Sequence, residues 1–183
     1  VRRQTKGAIC TQLKTFTVRR FGDDAWARVL ARLSPEDRDV VTSALAMGWY
    51  DTQPCLRALE AFDEELGARD AALLTEYGRW AAESDLTVFH RAFLRLANPA
   101  FVMEKFGDYW GRYHTHGTWS VERRPHGLAA TLTGFEGSPV YCKALTPYVQ
   151  RVLELVGAQD VRSTHPRCAS RGHEAWVWAV VWR

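Results

Sequence analysis

Trp119-Ser120-Val121-Glu122-Arg123-Arg124-Pro125-His126-Gly127-Leu128-Ala129-Ala130-Thr131-Leu132 decides the fold, because here apolar residues stop recurring at helical spacing and begin to alternate. Trp119, Val121 and Arg123 form one arm, and Leu128, Ala130, Leu132 and Gly134 the other, around a Pro125-His126-Gly127 turn. A period of two on both sides of such a turn reads as a β-hairpin. Ser138-Pro139 then starts a helix, with serine as cap and proline at the first helical position. It carries Tyr141, Leu145, Tyr148, Val149, Val152, Leu153 and Val156 and stops at Gly157. A second hairpin follows, with Val161 to Thr164 as one arm, Cys168 to Gly172 as the connection and Glu174 to Trp182 as the other arm. In that last arm Trp176, Trp178, Val180 and Trp182 share one face, and Val177, Ala179 and Val181 share the other. This predicts a central strand covered on both sides.

Upstream the period is helical, and no strand is expected before residue 117. Ile9, Leu13, Phe16 and Phe21 close on Gly22, and Asp23 or Asp24 can cap a helix through Trp26, Val29, Leu30 and Leu33. Ser34-Pro35-Glu36-Asp37 opens a helix to about Met47. Asp51 or Thr52 caps the next, where Cys55 packs with Leu56, Leu59, Phe62 and Leu66. A helix from about Asp70 to Ser84 carries Leu73, Leu74, Tyr77, Trp80 and Ala81, after which Ser84 or Asp85 caps a segment with Leu86, Phe89, Phe93 and Leu96. Asn98-Pro99 ends it and opens another helix with Val102, Phe106, Tyr109 and Tyr113. The expected fold class is α+β in one domain: a helical layer over residues 1–116, then a four-stranded antiparallel sheet in ββαββ order over 117–183.

A chain of 183 residues can bury a core without staples. Its net charge of +3 is small and its arginines are interspersed with acids, so it lacks the basic stripe that nucleic-acid binding needs. The sequence shows no signal peptide and no apolar run long enough to span a bilayer, and the four cysteines are sparse. Reduced thiols in a cytoplasmic setting are therefore expected. Val1 in place of a methionine is compatible with an excised domain, whose neighbour would carry the output.

No Gly-x-Ser-x-Gly elbow, Walker loop, Gly-x-Gly-x-x-Gly or His-Glu-x-x-His helix occurs, so no enzyme is expected. Asp63, Glu64 and Glu65 read as a solvated face, and His114 and His116 as surface residues beside a turn. Two consecutive helices with aromatic faces predict an apolar pocket walled by Phe89, Phe93, Phe106 and Trp110. His90, Tyr109 or Trp119 would offer a polar tip to a small aromatic or acyl ligand. The same residues packed without a gap would make a scaffold or dimerisation module instead. Cys142, His165 and Cys168 are soft-metal ligands in one small region, with His173, Glu174 or water able to complete a zinc site. Their other reading is two buried thiols beside a hydrogen-bonded histidine.

Phe21-Gly22 and Trp26, the segment from Gly78-Arg79-Trp80 to Leu96, Trp110-x-x-Tyr113 before Gly117, and Cys142, His165-x-x-Cys168, Gly172 and Trp182 carry a resemblance over nearly the whole chain. The chain resembles the 4-vinyl reductase-like ligand-sensing domains, related in fold to heme nitric-oxide-binding domains and to small subunits of TRAPP vesicle tethers. The resemblance implies an α+β domain that senses a small molecule or mediates assembly, pairs as a homodimer and is attached to an output module or protein partner. Several such sensors hold zinc in this C-terminal region; Cys142 and Cys168 match two of their cysteines and His165 stands where they use an acid. Trp176 stands where they have a further cysteine. Heme domains of the group carry an axial histidine on a helix and a Tyr-x-Ser-x-Arg motif. That motif is absent here, so heme is not expected, and His90 reads as a core residue.

Overall fold

The computed structural model describes residues 2–89, 98–125 and 127–183. Among the described residues the amino-terminal part forms six helices, α1 (Ala8–Phe21), α2 (Asp23–Ala31), α3 (Pro35–Ser43), α4 (Thr52–Leu66), α5 (Leu73–Phe89) and α6 (Pro99–Tyr113). They begin where short polar side chains can take up an otherwise unpaired backbone N–H. Ser34 accepts from Asp37, Asp51 from Gln53 and Asn98 from Ala100, with proline at the first turn after Ser34 and Asn98. Each such cap stabilises its helix by about 1 kcal/mol.

Two expectations for this part are corrected. Short strands β1 (Gln4–Lys6) and β2 (Trp49–Asp51) pair antiparallel, with Thr5 opposite Tyr50. β-Branched and aromatic side chains favour an extended ribbon, and Gly48, which brings the chain back to it, breaks the helical pattern. Secondly, Asp85 does not cap a helix. It lies inside α5 and is buried.

The carboxy-terminal part follows the predicted order: β3 (Thr118–Arg124), β4 (Gly127–Thr133), α7 (Pro139–Leu155), β5 (Arg162–Arg167) and β6 (Trp176–Val181). The fold is α+β, with a four-stranded antiparallel sheet ordered β3-β4-β6-β5. β6 is central, as expected, but only its tryptophan face is buried. Val177 and Ala179 are half-buried and Val181 is exposed, because the described helices pack on one side of the sheet. On the packed face Ala130 lies opposite Trp178 and Leu132 opposite Trp176, so a small residue makes room for a large one in the first pair.

Helix α7 joins the two parts. Leu145, Val149 and Leu153 face the sheet core, while Ala144 belongs to the core of α1, α2, α4 and α5. Its close partner is α5, at Gly78. A Cβ there would lie 2.2 Å from the Ala144 carbonyl oxygen, so only glycine lets the two backbones approach this closely. Arg79 on α5 grips Glu154 on α7 with two hydrogen bonds of 2.7 and 3.0 Å beside this contact. Cys10 and Cys55 form a disulfide between α1 and α4. The expectation of a reduced, merely packing Cys55 is thereby corrected: helical spacing buried both sulfurs, and the crossing of α1 on α4 brought them together.

Candidate functional site

A cavity of about 100 Å³ lies between α1, α4, α5, α6 and α7. The helix that decides its chemistry is α5, whose face toward α7 presents Tyr77, Gly78, Ala81 and Asp85 at spacings of one, three and four residues. This face is apolar except for Asp85. The carboxylate accepts hydrogen bonds from the Gln12 side-chain amide on one oxygen and from the Tyr148 hydroxyl, at 2.8 Å, on the other. Burial raises the Asp85 pKa above the usual carboxylate range against the pull of those hydrogen bonds. None of the described lining residues is a lysine or arginine.

Helix α6 supplies the opposite wall with Phe106, Tyr109, Trp110 and Tyr113, followed by His114. Tyr109 Oη is buried and makes no hydrogen bond of good geometry among the described residues, although it lies near enough to Asp85 to help hold that acid's pKa down against burial. His114, expected at the surface, is 6 % exposed and stacks on Trp110 with ring centroids 4.0 Å apart. The Thr5 hydroxyl donates to the Tyr113 carbonyl at 3.0 Å and so accepts from His114 Nδ1 at 3.1 Å. This assigns the proton to Nδ1 and leaves the Nε2 lone pair free. Burial, and then His116 nearby, push the His114 pKa down to about 3, so the ring is neutral at physiological pH.

Among the predicted pocket residues, Phe106, Tyr109 and Trp110 line this cavity. Trp119 stands behind Phe106, at 4.8 Å between ring centroids, and stacks on Trp178 within the sheet core. His90 and Phe93 lie outside the described residues, as does the side chain of Phe89. Asp85, Gln12, Tyr148 and His114 escaped the sequence reading. One signal for Asp85 was available: counted in helical steps from Tyr77 and Ala81, it puts an acid in the middle of an apolar stripe.

The sheet side holds a second cluster. Cys142 Sγ and Cys168 Sγ are 3.5 Å apart, and Cys168 Sγ is 2.8 Å from Ser170 Oγ. With a nitrogen of His165, the two sulfurs all lie within 4.8 Å of one another. The His165 ring lies flat on Trp178 and donates from Nδ1 to the Val177 carbonyl at 2.9 Å, which leaves Nε2 buried without a partner among the described residues. His173 is turned instead to the Cys168 backbone, with Nδ1 3.1 Å from its carbonyl oxygen. Burial pushes the Cys142 thiol up to about 12. At Cys168 burial acts in the same direction, but hydrogen bonds from Ser170 and Cys142 outweigh it and the thiol titrates lower than usual.

Comparison by sequence finds no matching family model and no matching curated protein. Comparison of structures finds close likeness over almost the whole chain. An H-NOX protein from S. oneidensis in its Fe(II)NO state is 13 % identical, covers 97 % of this chain and 99 % of its own, and superposes with a TM-score of 0.74. The fold is that of H-NOX domains. A variant of the unliganded Fe(II) H-NOX protein from K. algicida is 14 % identical over 97 % of this chain and 96 % of its own, with a TM-score of 0.72. A third H-NOX structure, from work on heme distortion in that family, is 10 % identical over 97 % and 95 %, with a TM-score of 0.67.

This likeness overturns the expectation, drawn from the missing Tyr-x-Ser-x-Arg motif, that heme has no place here. The H-NOX fold brings heme back as the group the cavity has to be tested against. Its donor set includes one suitable ligand, His114, whose Nδ1 is tied to Thr5 and whose Nε2 is free, as in iron-ligating imidazoles. In its present shape the cavity, about 100 Å³, is smaller than the hole of about 150 Å³ that accepts benzene, so a macrocycle requires the aromatic walls to part.

Proposed function

We propose that this chain is a non-enzymatic sensory domain that takes a small ligand into the cavity between α5, α6 and α7. The observation that carries the reading is the lining itself: apolar and aromatic side chains surround Asp85, Gln12, His114 and several tyrosine hydroxyls, of which Tyr109 Oη is buried. Burying them is costly unless something is gained by their presence. The described lining residues include no serine, cysteine or lysine to act as a nucleophile, in keeping with binding and not catalysis. The H-NOX likeness supports a sensor over a filled scaffold. Pairing with a second copy and coupling to an output partner belong to the same reading.

If heme is the ligand, His114 would hold its iron through Nε2, and the group would supply a metal site for a further small ligand. Titration of the purified chain with hemin, followed by absorbance, and with small aromatic compounds, followed by thermal stabilisation, tests the cavity. Ala81→Leu fills it and should abolish whatever stabilisation the wild type shows while leaving the chain folded. A wild-type chain that none of these ligands stabilises would return the domain to the scaffold reading.

A second reading rests on the convergence of Cys142, His165 and Cys168. Two sulfurs on one tetrahedral zinc lie roughly 3.8 Å apart, given zinc–sulfur bonds of about 2.3 Å, and the observed separation of 3.5 Å is close to this. Zinc held by these three groups and water is the corresponding proposal. Metal analysis of the protein purified without chelator checks it, with Cys168→Ser as the variant that should lose the ion.

A further inference from the structure

We infer that the cavity is built for a small organic ammonium ion. The inference rests on the cavity being a ligand site, and it names the class of ligand from the hydrogen-bonding roles left over inside.

Those roles are unequal. The Gln12 amide and the Tyr148 hydroxyl each direct a donor at Asp85, so the Tyr148 proton and one Gln12 N–H are spent. What remains is lone pairs on the Asp85 carboxylate and the hydroxyls of the lining tyrosines, Tyr109 Oη among them, which can accept as well as donate. Of these groups the ionised carboxylate alone can only accept, so a ligand that meets it must arrive with N–H or O–H donors. It also meets an acid with no lysine or arginine among the described residues that line the cavity, and buried carboxylates are stable as anions only when paired. A cationic ligand supplies the missing charge. Burial already raises the Asp85 pKa in the free protein, which marks the carboxylate as under-compensated there.

The walls point to the same class. Phe106, Tyr109, Trp110, Tyr113 and Tyr141 surround the space, and the negative faces of aromatic rings attract alkylammonium groups, each favourable contact adding to the pull of the acid. Size then limits the choice. A hole of about 150 Å³ holds the six carbons of benzene, so about 100 Å³ leaves room for four or five non-hydrogen atoms. The tert-butylammonium ion has that size and carries three N–H donors. Its neutral counterpart tert-butanol has nearly the same shape without the charge.

The test compares these two probes by calorimetry on the full chain, at constant ionic strength and neutral pH. Wild-type protein should bind tert-butylammonium at least tenfold more tightly than tert-butanol. Asp85→Asn should abolish that preference, and Tyr109→Phe should weaken ammonium binding with the fold, followed by circular dichroism, unchanged. Equal binding of the two probes, or undiminished ammonium binding in a folded Asp85→Asn, overturns the ammonium assignment and leaves the cavity as a ligand site. The assignment is overturned in the same way if neither probe binds but hemin gives an absorbance band lost in His114→Ala. If neither probe, hemin nor any small aromatic compound binds, the ligand-site reading falls together with the ammonium one.

Discussion

His114 in the helical cavity and His165 on the sheet are held in the same way, each with Nδ1 tied to an oxygen of the protein and Nε2 left free. Their surroundings differ. Around His114 stand the Thr5 hydroxyl and the rings of Trp110, Phe135 and His116, on the lining of a cavity that also holds Asp85 and several tyrosines. Around His165 stand two sulfurs and the Trp176 and Trp178 rings, with ring centroids 4.6 Å away in the case of Trp178. A fixed tautomer is therefore only half of a site. The neighbours decide whether the free nitrogen accepts a proton donor from a ligand or joins sulfur around a metal ion.

The largest expected effect separates the two histidines by pH. The folded-state pKa of His114 is depressed to about 3, so its contribution to stability is complete above the unfolded value of 6.5 and is lost as pH falls toward 3. The loss across that window is on the order of 5 kcal/mol, at about 1.4 kcal/mol for each pH unit. Denaturant melts of wild type and His114→Gln at pH 7 and pH 4.5 should show a steeper acid loss in the wild type; parallel losses would place His114 in a more solvated setting. His165 is only partly buried, and its pKa is lowered chiefly by that burial, so His165→Gln should flatten the acid profile less.

Removing the platform under His165 comes next. Trp178 is fully buried, stacks on Trp119 and Trp176 and donates from its indole nitrogen to Thr146 at 2.9 Å. Trp178→Ala should cost about 3 to 5 kcal/mol. A loss below 1 kcal/mol would mean that the sheet side is as loosely filled as the helical side.

On the helical side the Cys10–Cys55 disulfide closes a loop with a sequence separation of 45. Reducing it, or replacing both cysteines with serine, should lower stability by about 2 to 4 kcal/mol, read as the midpoint of chemical denaturation with and without reductant. The sheet side, whose two cysteines are free, should not respond to the same treatment. The smallest effect is expected at Tyr109. Its hydroxyl makes no hydrogen bond of good geometry among the described residues, so Tyr109→Phe should change stability by less than about 1 kcal/mol while altering ligand binding. A larger destabilisation would reveal a hydrogen bond that the cavity keeps for itself.

The strands and helices of the sheet side were legible because their side chains repeat with the period of the element they form. Ser138-Pro139 and the alternation of Trp176, Trp178 and Val180 announce α7 and β6 without help from the rest of the chain. The same local logic failed at Asp85, which looks like a cap when read beside Ser84. A cap and a buried acid have the same side chain and differ only in what faces them. It failed again at β1 and β2, each three residues long, where the pairing that makes them strands joins residues more than forty positions apart.

The order of residues by itself determined the helical and alternating periods, the caps and hence the α+β order, because these depend on neighbours within one or two turns of the chain. It also placed the soft ligands Cys142, His165 and Cys168 within one short region. Only the tertiary structure decided that Asp85, Tyr148 and the Tyr109–His114 stretch share one cavity and that Cys10 meets Cys55, since these come from segments far apart in sequence. The physical reason is that a period tells which face of an element is buried but not which other face it meets. That depends on close approaches such as Gly78 against Ala144, which form only when the helices pack.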